Sequence, residues 1–225
     1  MSYDKIILYF YLFLIFFPLL SITICVILFY YNKHNKNYNF FPTISEMNVD
    51  SPEKNIFSIS MLITAISFII YGMTRYYYLK TIIDKKNILK NYIFLYTLII
   101  IGSLNMIIFG FSPVKYHRNL HNISAGFFFT FICLFYLFED IIRFKFNDLN
   151  LSIYSWIVTF SAILFIILHV AIRNFGGFNK IKFSISSVCE IISIELLMVK
   201  VGVIIYENKN NKNMKLINDV EDKLI

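Results

Sequence analysis

Residues 6–31 read IILYFYLFLIFFPLLSITICVILFYY, 26 consecutive positions without an Asp, Glu, Lys or Arg. Water cannot hold such a segment as an exposed helix, and a bilayer can. A transmembrane helix needs about 20 apolar residues to cross a hydrocarbon core of about 30 Å. Only Asp4 and Lys5 precede the run as charges, and it is far longer than the core of a signal peptide and lacks a small-residue cleavage site, so it is expected to stay as a first span. Pro18, near its middle, removes one backbone donor and permits a kink.

The same pattern repeats outward along the chain. Further apolar blocks occupy about 56–78, 92–111, 120–138, 151–171 and 183–206, each separated by a short polar stretch. Lys80, Lys85, Lys86 and Lys90 mark one connector, Pro113, Lys115 and Arg118 another, and Glu139 with Asp140 is read as the end of the fourth span. These runs are apolar on all sides, which suits helices and not the alternating ten-residue segments of a barrel. The expected fold is therefore an all-α membrane protein: residues 1–206 as one bundle of six transmembrane helices and 207–225 as a polar cytoplasmic tail. The longest internal loop, 32–55, carries Pro42 and Pro52, which argue against regular helix through it.

Composition agrees. Hydrophobic residues make up 58% of the chain and charged residues 16%, against about a quarter in soluble domains, so a water-soluble enzyme or a nucleic-acid binder is a poor fit. The net charge of +7 sits in loops beside the spans, where Lys and Arg meet lipid headgroups. With six spans, the N-terminus, the second and fourth connectors and the tail share a side holding eleven Lys and Arg, against eight on the other. Both termini are thus expected in the cytoplasm and the Pro42–Pro52 loop in the lumen or outside. Cys25, Cys133 and Cys189 lie inside apolar blocks without a CxxC pair and read as packing residues.

The sixth block places Glu190, Glu195 and Lys200 inside one hydrophobic segment. Its thirteen Ile, Leu, Val and Phe residues contribute roughly −4 to −8 kcal/mol to insertion, and three central ionisable groups cost roughly +8 to +10. Alone, such a helix is marginal. Spacings of five turn successive groups by about 140 degrees, so the three cannot share one face. Glu190 and Lys200 are near enough to the ends to snorkel, which leaves Glu195 as the group expected to face the bundle interior, as a proton, ion or headgroup site or as a structural carboxyl. Arg75, at the end of the second block beside Tyr76, Tyr77 and Tyr78, reads as an interfacial anchor. His117 and His121 are four apart, a spacing that metal ligands sometimes use, with His169 a conceivable third. That spacing alone assigns no metal, and no cofactor is implied. The chain contains neither a serine nucleophile elbow nor a Gly-rich phosphate loop, so nothing in these motifs demands an enzyme.

One stretch is specific enough to resemble a known family. Phe41-Pro42-Thr43-Ile44-Ser45-Glu46, then Pro52-Glu53, then Ile56-Phe57 opening a block that closes on Arg75-Tyr76, resembles the Frag/DRAM/Sfk family of six-span proteins. Gly102 through Gly110-Phe111, followed by His121, Ala125 and Tyr136, is similar to that family's third and fourth spans. The resemblance implies a multi-pass regulator of autophagy or membrane lipid homeostasis that binds lipid or partner proteins, in the lysosome, another endomembrane or the plasma membrane. The second reading it admits, behind the first, is a participant in GPI-anchor lipid remodelling, with Glu46, Glu53, His121 and Glu190 converging near the luminal headgroups. A third reading, from Glu195 alone, is a small ion-coupled transporter.

Overall fold

The computed structural model describes the backbone of residues 3–34, 41–82, 89–145, 153–175 and 179–221, and the surroundings of side chains in 5–34, 41–77, 93–144, 153–175 and 179–204. Six long helices and one short one make up the described chain: α1 (Tyr3–Tyr31), α2 (Ile44–Met47), α3 (Glu53–Ile82), α4 (Leu89–Phe111), α5 (Val114–Lys145), α6 (Ile153–Asn174) and α7 (Lys180–Glu221). Each long helix packs on the next in sequence, and α7 returns against α1, so the six close into a ring with alternating direction. The short α2 lies against α1, α5 and α7 at one end. Call this the α2 end; the opposite end carries the beginnings of α1, α4 and α6.

Five of these helices, α1 and α3 to α6, are long and apolar enough to cross a membrane. Their outward residues are large hydrophobics such as Phe16, Leu20, Ile27, Ile59, Phe127 and Ile167, left uncovered by the protein. An apolar belt of that extent is a lipid-facing surface. The chain is an all-helical, multi-pass integral membrane protein. Helix α1 begins at Tyr3, α4 ends at Phe111 and α6 at Asn174, and α7 continues as helix to Glu221 through residues read as a tail.

Three expectations are overturned by tertiary pairing. Glu139 and Asp140 do not end a span, because α5 runs on to Lys145 and both carboxylates are wholly buried. Arg75 is buried too, and it is not an interfacial anchor: its Nε donates to Glu139 Oε1 at 2.6 Å. Finally, Glu190 and Lys200 face the interior while Glu195 is half-buried with no partner among the described residues. Ten residues of helix bring Glu190 and Lys200 to within about 80 degrees of each other and leave Glu195 on the far side. Lys200 Nζ donates to Asp140 Oδ2 at 2.6 Å and to the Ser155 carbonyl at 3.0 Å, and Asp140 also accepts from Ser155 and Thr159 hydroxyls. A layer of paired charge thus crosses α3, α5, α6 and α7 toward the end opposite α2.

Close approach of α3 and α4 depends on glycine. A Cβ on Gly110 would lie 2.6 Å from Met61 Cβ, the rigid root of a side chain. Gly110→Ala should therefore destabilise the bundle by about 1–3 kcal/mol despite alanine's better helix propensity, whereas Gly126→Ala, with nothing within 4 Å, should be neutral or stabilising. Thermal denaturation of both variants in detergent separates the two outcomes.

Candidate functional site

Between Pro42 and Pro52 the chain forms a one-turn helix that the prolines alone argued against. Thr43 caps it: its hydroxyl accepts from Glu46 N at 3.1 Å, and Glu46 Oε2 accepts in return from Thr43 N at 2.8 Å. That reciprocal capping box is the pattern Thr-x-x-Glu, present in the sequence at Thr43 to Glu46. Side chains and backbone of this segment then tie to four other helices. Ile44 N donates to Glu190 Oε2 on α7 (3.1 Å), Asn48 Nδ2 to the Gly110 carbonyl on α4 (3.3 Å), and Glu46 pairs with Arg173 on α6. Ser45 reaches His121 on α5, Oγ to Nε2, at 2.8 Å.

Beneath α2, a cleft of about 1010 Å³ opens between α5 and α6, with α7 as its back wall. It is amphipathic along its length. At the α2 end the lining is polar and mostly basic: Lys115, Arg118, His169 and Arg173, with Glu46 and Glu190. Further along, the walls are Phe129, Leu134 and Leu137 of α5 and Ile163 and Ile166 of α6. Gly126, Thr130 and Ile167 line it and are exposed, so the cleft opens sideways between two lipid-facing helices. Arg173 Nη1 is buried there without a hydrogen-bond acceptor, while the guanidinium stacks 4.5 Å from the Phe183 ring. A buried, unsatisfied cationic donor is costly unless an acceptor from outside the chain meets it.

The pairing at Ser45 has a defined proton arrangement. His121 is 1% exposed, and its Nδ1 stands 2.7 Å from the Ser112 carbonyl, which can only accept. Nδ1 must carry the proton, so in the neutral ring Nε2 presents its lone pair and Ser45 Oγ donates to it. The competing contact of Ser45 Oγ with Glu190 Oε1 is long, at 3.5 Å. His117, by contrast, is exposed at a break in helical geometry (φ −134°, ψ 46°), so it does not share a face with His121. His169 binds the Ser186 carbonyl at 2.9 Å.

The residues singled out from sequence divide accordingly. Pro42, Ile44, Ser45 and Glu46 form α2 and its entry, and Ser45, Glu46, His121 and Glu190 meet at the cleft. Pro52 is exposed at the start of α3, and Glu53 lies elsewhere: its carboxylate accepts from Asn32 Nδ2 and contacts His34 Nδ1, both at 3.1 Å, tying the end of α1 to α3. Arg75, Glu195 and Lys200 do not line the cleft. Arg173 was the functional candidate that sequence reading passed over, because a basic residue closing an apolar block looks like any other interfacial anchor.

The sequence profile of the Frag1/DRAM/Sfk1/Cwh43P N-terminal domain matches residues 6–210. The chain belongs to this family. The match covers α2, every helix lining the cleft and all but the last residues of α7. No individual curated protein matches it, and no solved structure does.

Proposed function

We propose that this Frag1/DRAM-type protein regulates membrane lipid homeostasis or autophagy by holding a phosphate-bearing lipid in the α5–α6 cleft. The observation that carries the reading is the cleft's polarity: cations at one end, apolar walls beyond, and a lateral opening. A lipid entering sideways sets its phosphate among Lys115, Arg118 and Arg173 and its chains against Phe129, Leu134 and Ile163. The volume accommodates a headgroup and part of its acyl chains, being at the upper end of the usual range for small-molecule sites. In this reading α7 is a sixth crossing, both termini are cytoplasmic, and α2 caps the bundle on the luminal or outer side.

Each basic residue near a lipid phosphate contributes about 1 kcal/mol, so removing two weakens capture about 30-fold. Arg118→Gln with Arg173→Gln should accordingly lose most cross-linking to a photoactivatable anionic phospholipid in reconstituted vesicles. Undiminished cross-linking at cleft residues would place the lipid's phosphate elsewhere and remove the reading.

A further inference from the structure

We propose that Ser45 is an acyl-accepting nucleophile and His121 its general base, so that the cleft transfers or hydrolyses an ester-linked acyl chain of the bound phospholipid. The inference rests on the lipid reading of the cleft and goes beyond it, from holding a lipid to altering one.

Geometry supplies the reason. A serine hydroxyl is a weak nucleophile until an adjacent base takes its proton, and the diagnostic arrangement is hydroxyl, base and a third group that orients the base. Ser45 Oγ lies 2.8 Å from His121 Nε2, and the Ser112 carbonyl, 2.7 Å from Nδ1, fixes the ring and its tautomer. The opposite assignment, with Nε2 protonated and Ser45 donating to Glu190, would set an Nδ1 lone pair against the carbonyl at 2.7 Å. Phe109 closes against the ring of His121, centroids 5.7 Å apart, which restricts it further. Ser45 is itself anchored, being carried on a capped turn whose neighbours Ile44 and Glu46 bind Glu190 and Arg173. Ser45 and His121 both line the cleft, with Lys115, Arg118 and Arg173 on one hand and Ala125 and Phe129 on the other, and a glycerolipid carries its esters between its phosphate and its chains.

The step balances without any oxidant or cofactor. Ser45 Oγ bonds to the ester carbonyl carbon as its proton passes to His121 Nε2. The tetrahedral adduct collapses by breaking the bond from that carbon to the alkyl oxygen, which leaves as a lysolipid hydroxyl carrying the proton from Nε2. The acyl group remains on Oγ. Water, or the hydroxyl of a second lipid, then gives its proton to His121 and attacks the acyl-serine; the serine ester breaks and Oγ recovers the proton.

The test uses the full chain in mixed micelles, with an alkyl fluorophosphonate as the serine probe, peptide mapping as the readout, and photoactivatable phospholipid as a separate arm. Labelling at Ser45 is expected in the native protein, with loss of at least tenfold in His121→Gln that still migrates as a folded species. Release of labelled fatty acid or its transfer to a lipid alcohol should fall in parallel, and Ser45→Cys should restore labelling by a thiol-reactive acyl probe. Native protein that cross-links phospholipid but leaves Ser45 unlabelled would overturn the nucleophile. Equal labelling in His121→Gln would overturn the base. His121-dependent labelling without any phospholipid cross-linking would keep the dyad and overturn the lipid reading instead.

Discussion

Glu139→Leu should lower the stability of the bundle by about 3–5 kcal/mol, the cost of removing one member of a buried ion pair. Arg75 is 1% exposed, and Glu139, which it contacts through both Nε and an Nη nitrogen, is fully buried. Leucine at 139 removes the carboxylate and leaves the guanidinium where water cannot reach it. Arginine does not shed its proton to escape, so the protein must rearrange or unfold. By the scaling for chains of this size, the unfolding midpoint in detergent should drop by roughly 6–20 °C, with lower yield of folded protein. The decisive comparison is the double variant Arg75→Met with Glu139→Leu, which replaces both charges by apolar groups of similar bulk. If the pair acts as described, the double variant recovers most of the loss, since an apolar pair in that position is often as stable as the ion pair. A double variant as unstable as the single one would mean that Glu139 matters through some contact other than Arg75.

That pair shows where the sequence was legible and where it was not. The apolar blocks announced six helices, five of which are long and apolar enough to cross a membrane, because the bilayer acts on each segment separately, through its length and hydropathy, and both can be read from one stretch of chain. Arg75 and Glu139 are 64 residues apart, and Asp140 and Lys200 are 60 apart, so their neutralisation depends on which helices become neighbours. Read locally, a charge at the edge of an apolar block marks an interface; in the folded ring the same residue is an interior partner. The Glu190, Glu195 and Lys200 series was decidable in principle. The five-residue steps excluded a shared face for all three, and the ten-residue step already placed the outer two together. For the candidate site, Ser45 and His121 both stood out in the chain, but across 76 residues nothing local joins a loop serine to a helical histidine. The capping box from Thr43 to Glu46 was the available clue that this loop contains an ordered turn able to present a side chain.

On the six-crossing arrangement proposed above, with the C-terminus in the cytoplasm, Asp140→Leu should change the topology of α7, and Lys200→Leu should not. Taken alone, α7 has roughly −4 to −8 kcal/mol of favourable side-chain insertion against roughly +8 to +10 for its three ionisable groups. Its charge density is what separates it from the five clearly apolar helices, although it fills its place in the ring between α6 and α1. The bundle resolves the conflict by supplying partners. Lys200 Nζ meets Asp140, the Ser155 carbonyl and the Ser155 hydroxyl, and Glu190 accepts from Ile44 N, so two of the three groups enter already hydrogen-bonded. Removing Asp140 restores most of the roughly 2.5–3.5 kcal/mol cost of a lysine at depth and tips α7 toward remaining outside the membrane. Removing Lys200 abolishes that cost, and the surviving Asp140 keeps the Ser155 and Thr159 hydroxyls as donors. A reporter at the C-terminus, read by protease access from the cytoplasmic side in intact vesicles, distinguishes the two. Asp140→Leu should yield a mixed or inverted signal, Lys200→Leu a native one, and the double variant a native one as well. Identical cytoplasmic signals from Asp140→Leu and the native chain would show that α7 inserts on its own hydrophobicity, and that the buried lysine pair serves packing alone.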